Sequence, residues 1–171
     1  MNIMKFLFTF GLAIFLSGCF PQKAPEREKK YTDINEALKN RDKVRYLSLY
    51  NKQLNEFPTD IFQLKQIIKL GLRSNKLGNI PREIETFTNL EWLDLGENKL
   101  QSLPDTSAAL KKLSFIYLND NEFDQFPTCL QNMEQLQYLN LDRNRINVVP
   151  VWIGMLKNLR WLRLNNNNIT E

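Results

Sequence analysis

Residues 90–100 read LEWLDLGENKL and residues 136–146 read LQYLNLDRNRI. Both carry an apolar residue, then leucine three and five positions later, asparagine eight later and an apolar residue ten later. The spacing extends along the chain. Proline recurs at 58, 81, 104, 127 and 150, and asparagine at 75, 98, 121, 144 and 167, always with a step of 23 residues. Internal repetition at such a period marks a stack of similar turns. Units counted from Val44 span 44–66, 67–89, 90–112, 113–135 and 136–158, with a partial unit at 159–171. Positions 1, 4, 6, 11, 14, 18 and 21 of these units are apolar throughout, with Ser107 the single exception. In a chain that is 43% hydrophobic such regularity is not chance. These positions must share one continuous core.

Positions 3 to 7 of each unit alternate outward and inward, the period of a strand with one buried face. One short strand per turn, stacked in parallel, predicts a sheet of about six strands roughly 24 Å across. Proline then starts the return arc, where its fixed φ and missing N–H suit backbone that donates no ladder bond. The recurrent asparagines, Asn75, Asn98, Asn121, Asn144 and Asn167, are expected to form an internal ladder. An amide both donates and accepts, so it can pair the backbone groups that turn inward as the chain leaves the strand. The first unit has Lys52 there, which starts the ladder one unit late. Ser107, with Ala108 and Ala109, predicts an under-filled spot over 105–110.

The segments quoted, with PREIETFTN and PVWIGMLKN, resemble the bacterial leucine-rich repeat LxxLxLxxNxLxxxPxxIxxLxx. The resemblance covers 44–171, and its front end is similar to spirochaete surface repeat proteins. It implies an α/β solenoid: a leucine-rich repeat horseshoe with a parallel concave sheet that binds proteins and other ligands. Caps are expected where end turns would expose core. At the front, Thr32 is expected to cap a helix running to about Asp42, within a cap spanning 31–43, with Ile34, Ala37 and Leu38 on one face. At the back no equivalent cap is evident, which leaves Leu159, Leu162, Leu164 and Ile169 at an open edge. Truncation, a covering partner chain and fraying are all open there.

Residues 1–18 read as a secretory signal: Lys5, an apolar run from Phe6 to Leu16, then Ser17 and Gly18. The run is shorter than the ~20 residues of a membrane-spanning helix. Leu16-Ser17-Gly18-Cys19 resembles the bacterial lipobox, which implies lipidation at Cys19 and anchoring by more than one acyl chain. An ordinary cleaved signal and an uncleaved anchor are the alternatives. Residues 19–30, rich in charge and proline, read as a tether. Phe20 in place of Asp favours the outer membrane, at the cell surface or on the periplasmic face.

Outward strand positions give the candidate partner site. Position 3 supplies Tyr46, Lys69, Trp92, Phe115, Tyr138 and Trp161. Positions 5 and 7 supply Tyr117, Asp94, Arg163 and Arg73. Aromatics and arginine are the residue types that anchor interfaces, although aromatic neighbours across strands also stabilise a sheet by themselves. A cation–π contact of Lys69 with Trp92 is expected, as are ion pairs of Arg73 with Asp94 and of Asp142 with Arg163. Gly71 and Gly96 predict a shallow dent. The expected partner is a protein, from a host or from the bacterial envelope, with self-association through the open edge as the alternative.

Composition excludes other classes. The chain has no histidine, two cysteines and a net charge of +4. It therefore lacks the commonest general base and metal ligand. It also lacks a dense basic patch for nucleic acid. No phosphate-binding or nucleophile-elbow motif is present. No enzyme, cofactor or metal is expected, and Cys129 reads as an inert thiol.

Overall fold

The computed structural model describes residues 29–170. The expected signal 1–18, Cys19 and the tether up to residue 28 lie outside the described residues. Seven short strands form one open parallel sheet in sequence order: β1 (Lys30–Tyr31), β2 (Tyr46–Ser48), β3 (Lys69–Gly71), β4 (Trp92–Asp94), β5 (Phe115–Tyr117), β6 (Tyr138–Asn140) and β7 (Trp161–Arg163). The count is seven, not six, because Lys30 and Tyr31 pair with Tyr46 and Leu47. Tyr31 is buried in the core. Strand β1 thus uses Lys30, the last residue of the expected tether, and precedes the first full repeat.

Register follows the repeat without slippage. Tyr46, Lys69, Trp92, Phe115, Tyr138 and Trp161 lie side by side across β2–β7. The middle residue of each strand faces inward, and Leu47, Leu70, Ile116 and Leu139 are fully buried. Burying such a side chain stabilises by about 1.5–3 kcal/mol. Their stacked repetition makes one continuous core.

The return arcs are 3-10 turns: Thr59–Gln63, Arg82–Thr86, Asp105–Ala109, Thr128–Asn132 and Val151–Met155. Each is preceded by the recurrent proline in extended conformation, whose carbonyl accepts the N–H three residues on. The proline lacks a donor but presents an acceptor, and the turn uses that asymmetry. Around Ser107 the neighbouring turns approach more closely than the other adjacent turns do. Small residues there, Ser107, Ala108 and Ala109, let the backbone of adjacent turns close in. Thr106 fastens the approach by donating its hydroxyl to the Arg82 carbonyl at 2.6 Å.

The front cap is shorter than expected. Helix α1 spans Ile34–Lys39 and is capped by Asp33, not Thr32; the Asp33 carboxylate accepts the Glu36 N–H at 2.8 Å. A 3-10 turn, Arg41–Lys43, follows. Ala37 is fully buried, with Ile34 and Leu38 packed against the core beside it. At the other end Leu159, Leu162 and Leu164 are only partly covered and Ile169 is exposed. No helix among the described residues is long and apolar enough to cross a membrane.

The asparagine ladder is present as expected. Asn121 is typical: its Oδ1 accepts the Leu100 N–H at 3.0 Å, and its Nδ2 donates to the Leu95, Leu118 and Asn119 carbonyls. Asn75, Asn98, Asn144 and Asn167 each accept an N–H from the preceding turn and donate to carbonyls of their own and the preceding turn. Lys52 stands outside the ladder and donates its backbone N–H to Asn75 Oδ1 at 3.0 Å.

Candidate functional site

The outer face of the sheet carries the candidate partner residues. Tyr46, Lys69, Trp92, Phe115, Tyr117 and Tyr138 are half-buried on it, while Trp161, at the last strand, is exposed. Strand geometry explains the placement, since the residues flanking each buried central side chain point outward.

The aromatics form a linked cluster instead of a simple stripe. Tyr46 meets Trp92 edge-on at 6.2 Å between centroids; Trp92 meets Tyr117 at 5.5 Å; Tyr117 meets Tyr138 at 4.9 Å; and Tyr138 meets Phe115 at 6.4 Å. Tyr117, from the adjacent row, is the bridge. Separations of this kind add stability beyond area alone, on the order of 0.5–1.5 kcal/mol per pair. Desolvation pushes the Tyr117 hydroxyl above its ordinary pKa.

Several expected contacts are redirected. Lys69 places its ammonium 6.0 Å from the Tyr46 ring centroid, not over Trp92, and Lys30 covers the same ring at 5.4 Å. Tyr46 thus serves both cations at the front of the sheet. The dent expected at Gly71 is walled by the Trp92 ring, which comes 3.6 Å from where a Cβ would stand. At Gly96 three polar atoms crowd the same kind of point: Asn119 Oδ1 at 3.1 Å, and Arg73 Nη1 and Asp94 Oδ1 at 3.2 Å. Glycine suits that approach, because a Cβ there would press on all three side chains.

Arg73 pairs with Glu97, not with Asp94. The Ser74 hydroxyl and Arg73 together hold the Glu97 carboxyl below its ordinary pKa. Asp94 accepts the Gly96 N–H at 3.0 Å, and burial raises its pKa. Arg143 grips Asp120 with two guanidinium nitrogens and lowers that carboxyl. The expected pair of Arg163 with Asp142 is present, at 2.6 Å, and the buried Asp142 also accepts both N–H groups of Asn165. Three of these four carboxylates are therefore held by arginines. Among the described residues no group of cysteine, aspartate and glutamate is placed to hold a metal ion. Cys129 is buried beside Ser107, and desolvation pushes its thiol up to about 11.

The left-handed backbone of the residue just before the asparagine position was not foreseen from the sequence. Asn51, Ser74, Glu97, Asp120, Arg143 and Asn166 all adopt positive φ, between 51° and 58°. None is glycine, so composition gave no sign of it. The only available signal was position, immediately before a ladder asparagine or, in the first unit, before Lys52.

The leucine-rich repeat region model matches residues 66–165, most of the described solenoid. The chain belongs to the leucine-rich repeat family. Among solved structures it is similar to a leucine-rich repeat protein of Leptospira interrogans, at 31% identity and a TM-score of 0.67; the match covers 83% of this chain and 42% of that one. It is also similar to the plant peptide hormone receptor RGFR1, solved in complex with RGF2, at 30% identity and a TM-score of 0.61, covering 68% of this chain and 19% of the receptor. A third similar structure is TLR13 in its complex with ssRNA13, at 30% identity and a TM-score of 0.67, over 74% and 19% of the two chains. This leucine-rich repeat chain thus spans less than half the length of those proteins. No match is found among curated protein sequences.

Proposed function

We propose that this leucine-rich repeat protein is a lipid-anchored binding module that docks a protein partner, from a host or from the bacterial envelope, on the outer face of its sheet. The observation that carries the reading is the linked cluster of Tyr46, Trp92, Tyr117, Tyr138 and Phe115, half-exposed across strands β2 to β6 of the registered sheet. Such rings present large contact area with little side-chain entropy left to lose, because their neighbours already fix them. The plant receptor among the similar structures, solved with RGF2, supports a protein or peptide as ligand class. The arginine-held carboxylates Glu97, Asp120 and Asp142 fit recognition better than turnover, so the reading assigns no catalytic step.

The test is capture of candidate host and envelope proteins by the chain and by a variant carrying Trp92→Gln, Phe115→Gln and Tyr138→Gln. Capture should fall at least tenfold while the variant keeps a cooperative thermal transition. Unchanged capture overturns the reading. The anchor is tested separately: mass spectrometry of the membrane fraction should find acyl chains on Cys19, and Cys19→Ala should release the protein. Self-association through the β7 edge is the second reading, favoured by the partly covered Leu159, Leu162 and Leu164. Light scattering across a concentration series separates it from docking of a different protein.

A further inference from the structure

Asp94 is the carboxylate of the sheet face that no arginine holds. Arg73 pairs with Glu97, Arg143 with Asp120 and Arg163 with Asp142, whereas among the described residues Asp94 forms no ion pair. Its Oδ1 accepts the Gly96 N–H. That bond needs no charge: Asn140, at the same repeat position two units on, makes it to the Asp142 N–H with a neutral amide. Asp94 is nevertheless a carboxylate, buried on the face that carries the aromatic cluster, and burial raises its pKa. A residue that opposes folding where a neutral one serves the fold equally well is the mark of a functional position.

Its surroundings show what it could meet. In register, Asp94 lies between Gly71 of β3 and Tyr117 of β5. The Trp92 ring leans over Gly71 and meets the Tyr117 ring at 5.5 Å between centroids. Two rings therefore border the carboxylate. A second acceptor without a donor stands beside it. Asn119 is 2% exposed, and its Nδ2 donates to Asp120 Oδ2 at 2.6 Å. A carboxylate only accepts, so the amide oxygen must point the other way. That Oδ1 is buried and has no hydrogen-bond partner. It lies 3.1 Å, and Asp94 Oδ1 3.2 Å, from the point where a Gly96 Cβ would stand. Position 7 carries a side chain in every other unit, but Gly96 brings the two oxygens no donor.

The local charge is negative. Arg73 is one cation against the two carboxylates Asp94 and Glu97, Asp120 is matched by Arg143, and Lys69 places its ammonium at Tyr46. Acceptors, unmatched negative charge and ring faces together suit a cation on an apolar stem. We infer that Asp94, with Asn119 behind it, receives a lysine or arginine side chain of the protein partner. The inference rests on the docking reading above and names the chemistry of what docks at its centre. The ammonium or guanidinium meets Asp94 beside the rings of Trp92 and Tyr117. Arg73 Nη1 lies 3.2 Å from the same Gly96 point, and Arg73 bonds Glu97 through Nη2, so it withdraws towards Glu97 as the incoming donor reaches Asn119 Oδ1. A divalent metal ion suits the place less well, because it takes several oxygen ligands and the neighbouring carboxylates are already held by arginines.

The test titrates the full chain, nitrogen-15 labelled and kept in neutral detergent micelles. The probes are Nα-acetyl-arginine amide, Nα-acetyl-lysine amide and the uncharged Nα-acetyl-glutamine amide, each to about 50 mM. The Gly96 N–H and the Asn119 side-chain amide are read by NMR. At least one basic amide should shift both signals saturably and bind about tenfold or more tighter than the glutamine amide. Asp94→Asn can keep the Gly96 bond and should weaken that binding at least tenfold; its Gly96 signal reports that the fold is retained. No saturable shift with either basic amide, or binding that Asp94→Asn leaves unchanged, overturns the inference. An equal response to the glutamine amide assigns the place to neutral donors and overturns it too. Docking is read separately by the ring variant above: if that variant loses capture while no basic amide binds, docking stands and the cation site falls.

Discussion

At the scale of single residues, the ladder asparagines and the surface carboxylates carry opposite kinds of information. Asn121 satisfies one buried N–H and three carbonyls at once, so no apolar residue of its size can replace it. Each orphaned group costs about 1–3 kcal/mol, and Asn121→Leu should destabilise by roughly 3 kcal/mol or more. Urea unfolding measures this; a loss under ~1 kcal/mol would mean water replaces the amide. Asp94 is predicted to behave in the other direction. Its folded pKa lies above the ordinary value of 3.8 because of burial, so its ionisation opposes folding. That penalty is complete above the folded pKa and gone below the unfolded one. Asn140, one strand position equivalent, already makes the same bond with an amide, accepting the Asp142 N–H at 2.9 Å. Asp94→Asn should therefore keep the Gly96 bond and raise the melting temperature at pH 7, with no gain at pH 3. A lower melting temperature at pH 7 would show that Arg73 depends on the charge. Glu97 and Asp120 have the opposite sign: their lowered pKa values stabilise above the ordinary range and fade as pH falls through the folded values. Both lie at the surface and are partly exposed, so their effect is small.

At the scale of the element, each 23-residue turn was legible because three independent constraints recur in phase. Strand alternation, the proline and the asparagine all point to one geometry, and register followed from them. What was not legible has a local physical cause. The helix cap moved from Thr32 to Asp33 because neighbouring cap formers differ only by where the first turn closes. Strand β1 was hidden because Lys30 and Tyr31 become a strand only through pairing with β2. The partners of Lys69 and Arg73 depend on rotamers that spacing does not specify. The turn at 105–109 is the instructive case. A serine among apolar slots predicts a void, yet the backbone of adjacent turns closes over it. Filling it should then be harmful. Ser107→Ile, which restores the residue found at positions 61, 84 and 153, is expected to overpack and cost about 1–3 kcal/mol. A raised melting temperature would instead reveal space that the close approach leaves unfilled.

At the scale of the whole molecule, the stack is a one-dimensional solid in which each turn touches only its neighbours. Among the described residues, interior turns have two such contacts and the turn of β7 has one. Coverage reflects this: Leu139 in β6 is fully buried, whereas Leu162, its counterpart in β7, is only partly so. The front end is closed by β1 and α1, and Val44 and Leu47 behind them are fully buried. Stability should therefore fall along the stack towards β7. Leu139→Ala is expected to cost about 2–5 kcal/mol, and Leu162→Ala less than half of that because little of its side chain leaves water. Native-state hydrogen exchange checks the same gradient without mutation. Amides of β3–β5 should exchange only through global unfolding, and those of β7 through a smaller local opening. Uniform protection from β2 to β7 would show that the stack unfolds as one unit and that its last turn is as firmly held as its centre. The gradient matters for recognition, because the rings that link Tyr46 to Phe115 sit on the firm part and are ordered before a partner arrives. Exposed Trp161 sits on the loose part. A partner that reaches it must order β7 as it binds, so contacts there should gain less affinity than equal contacts at Trp92.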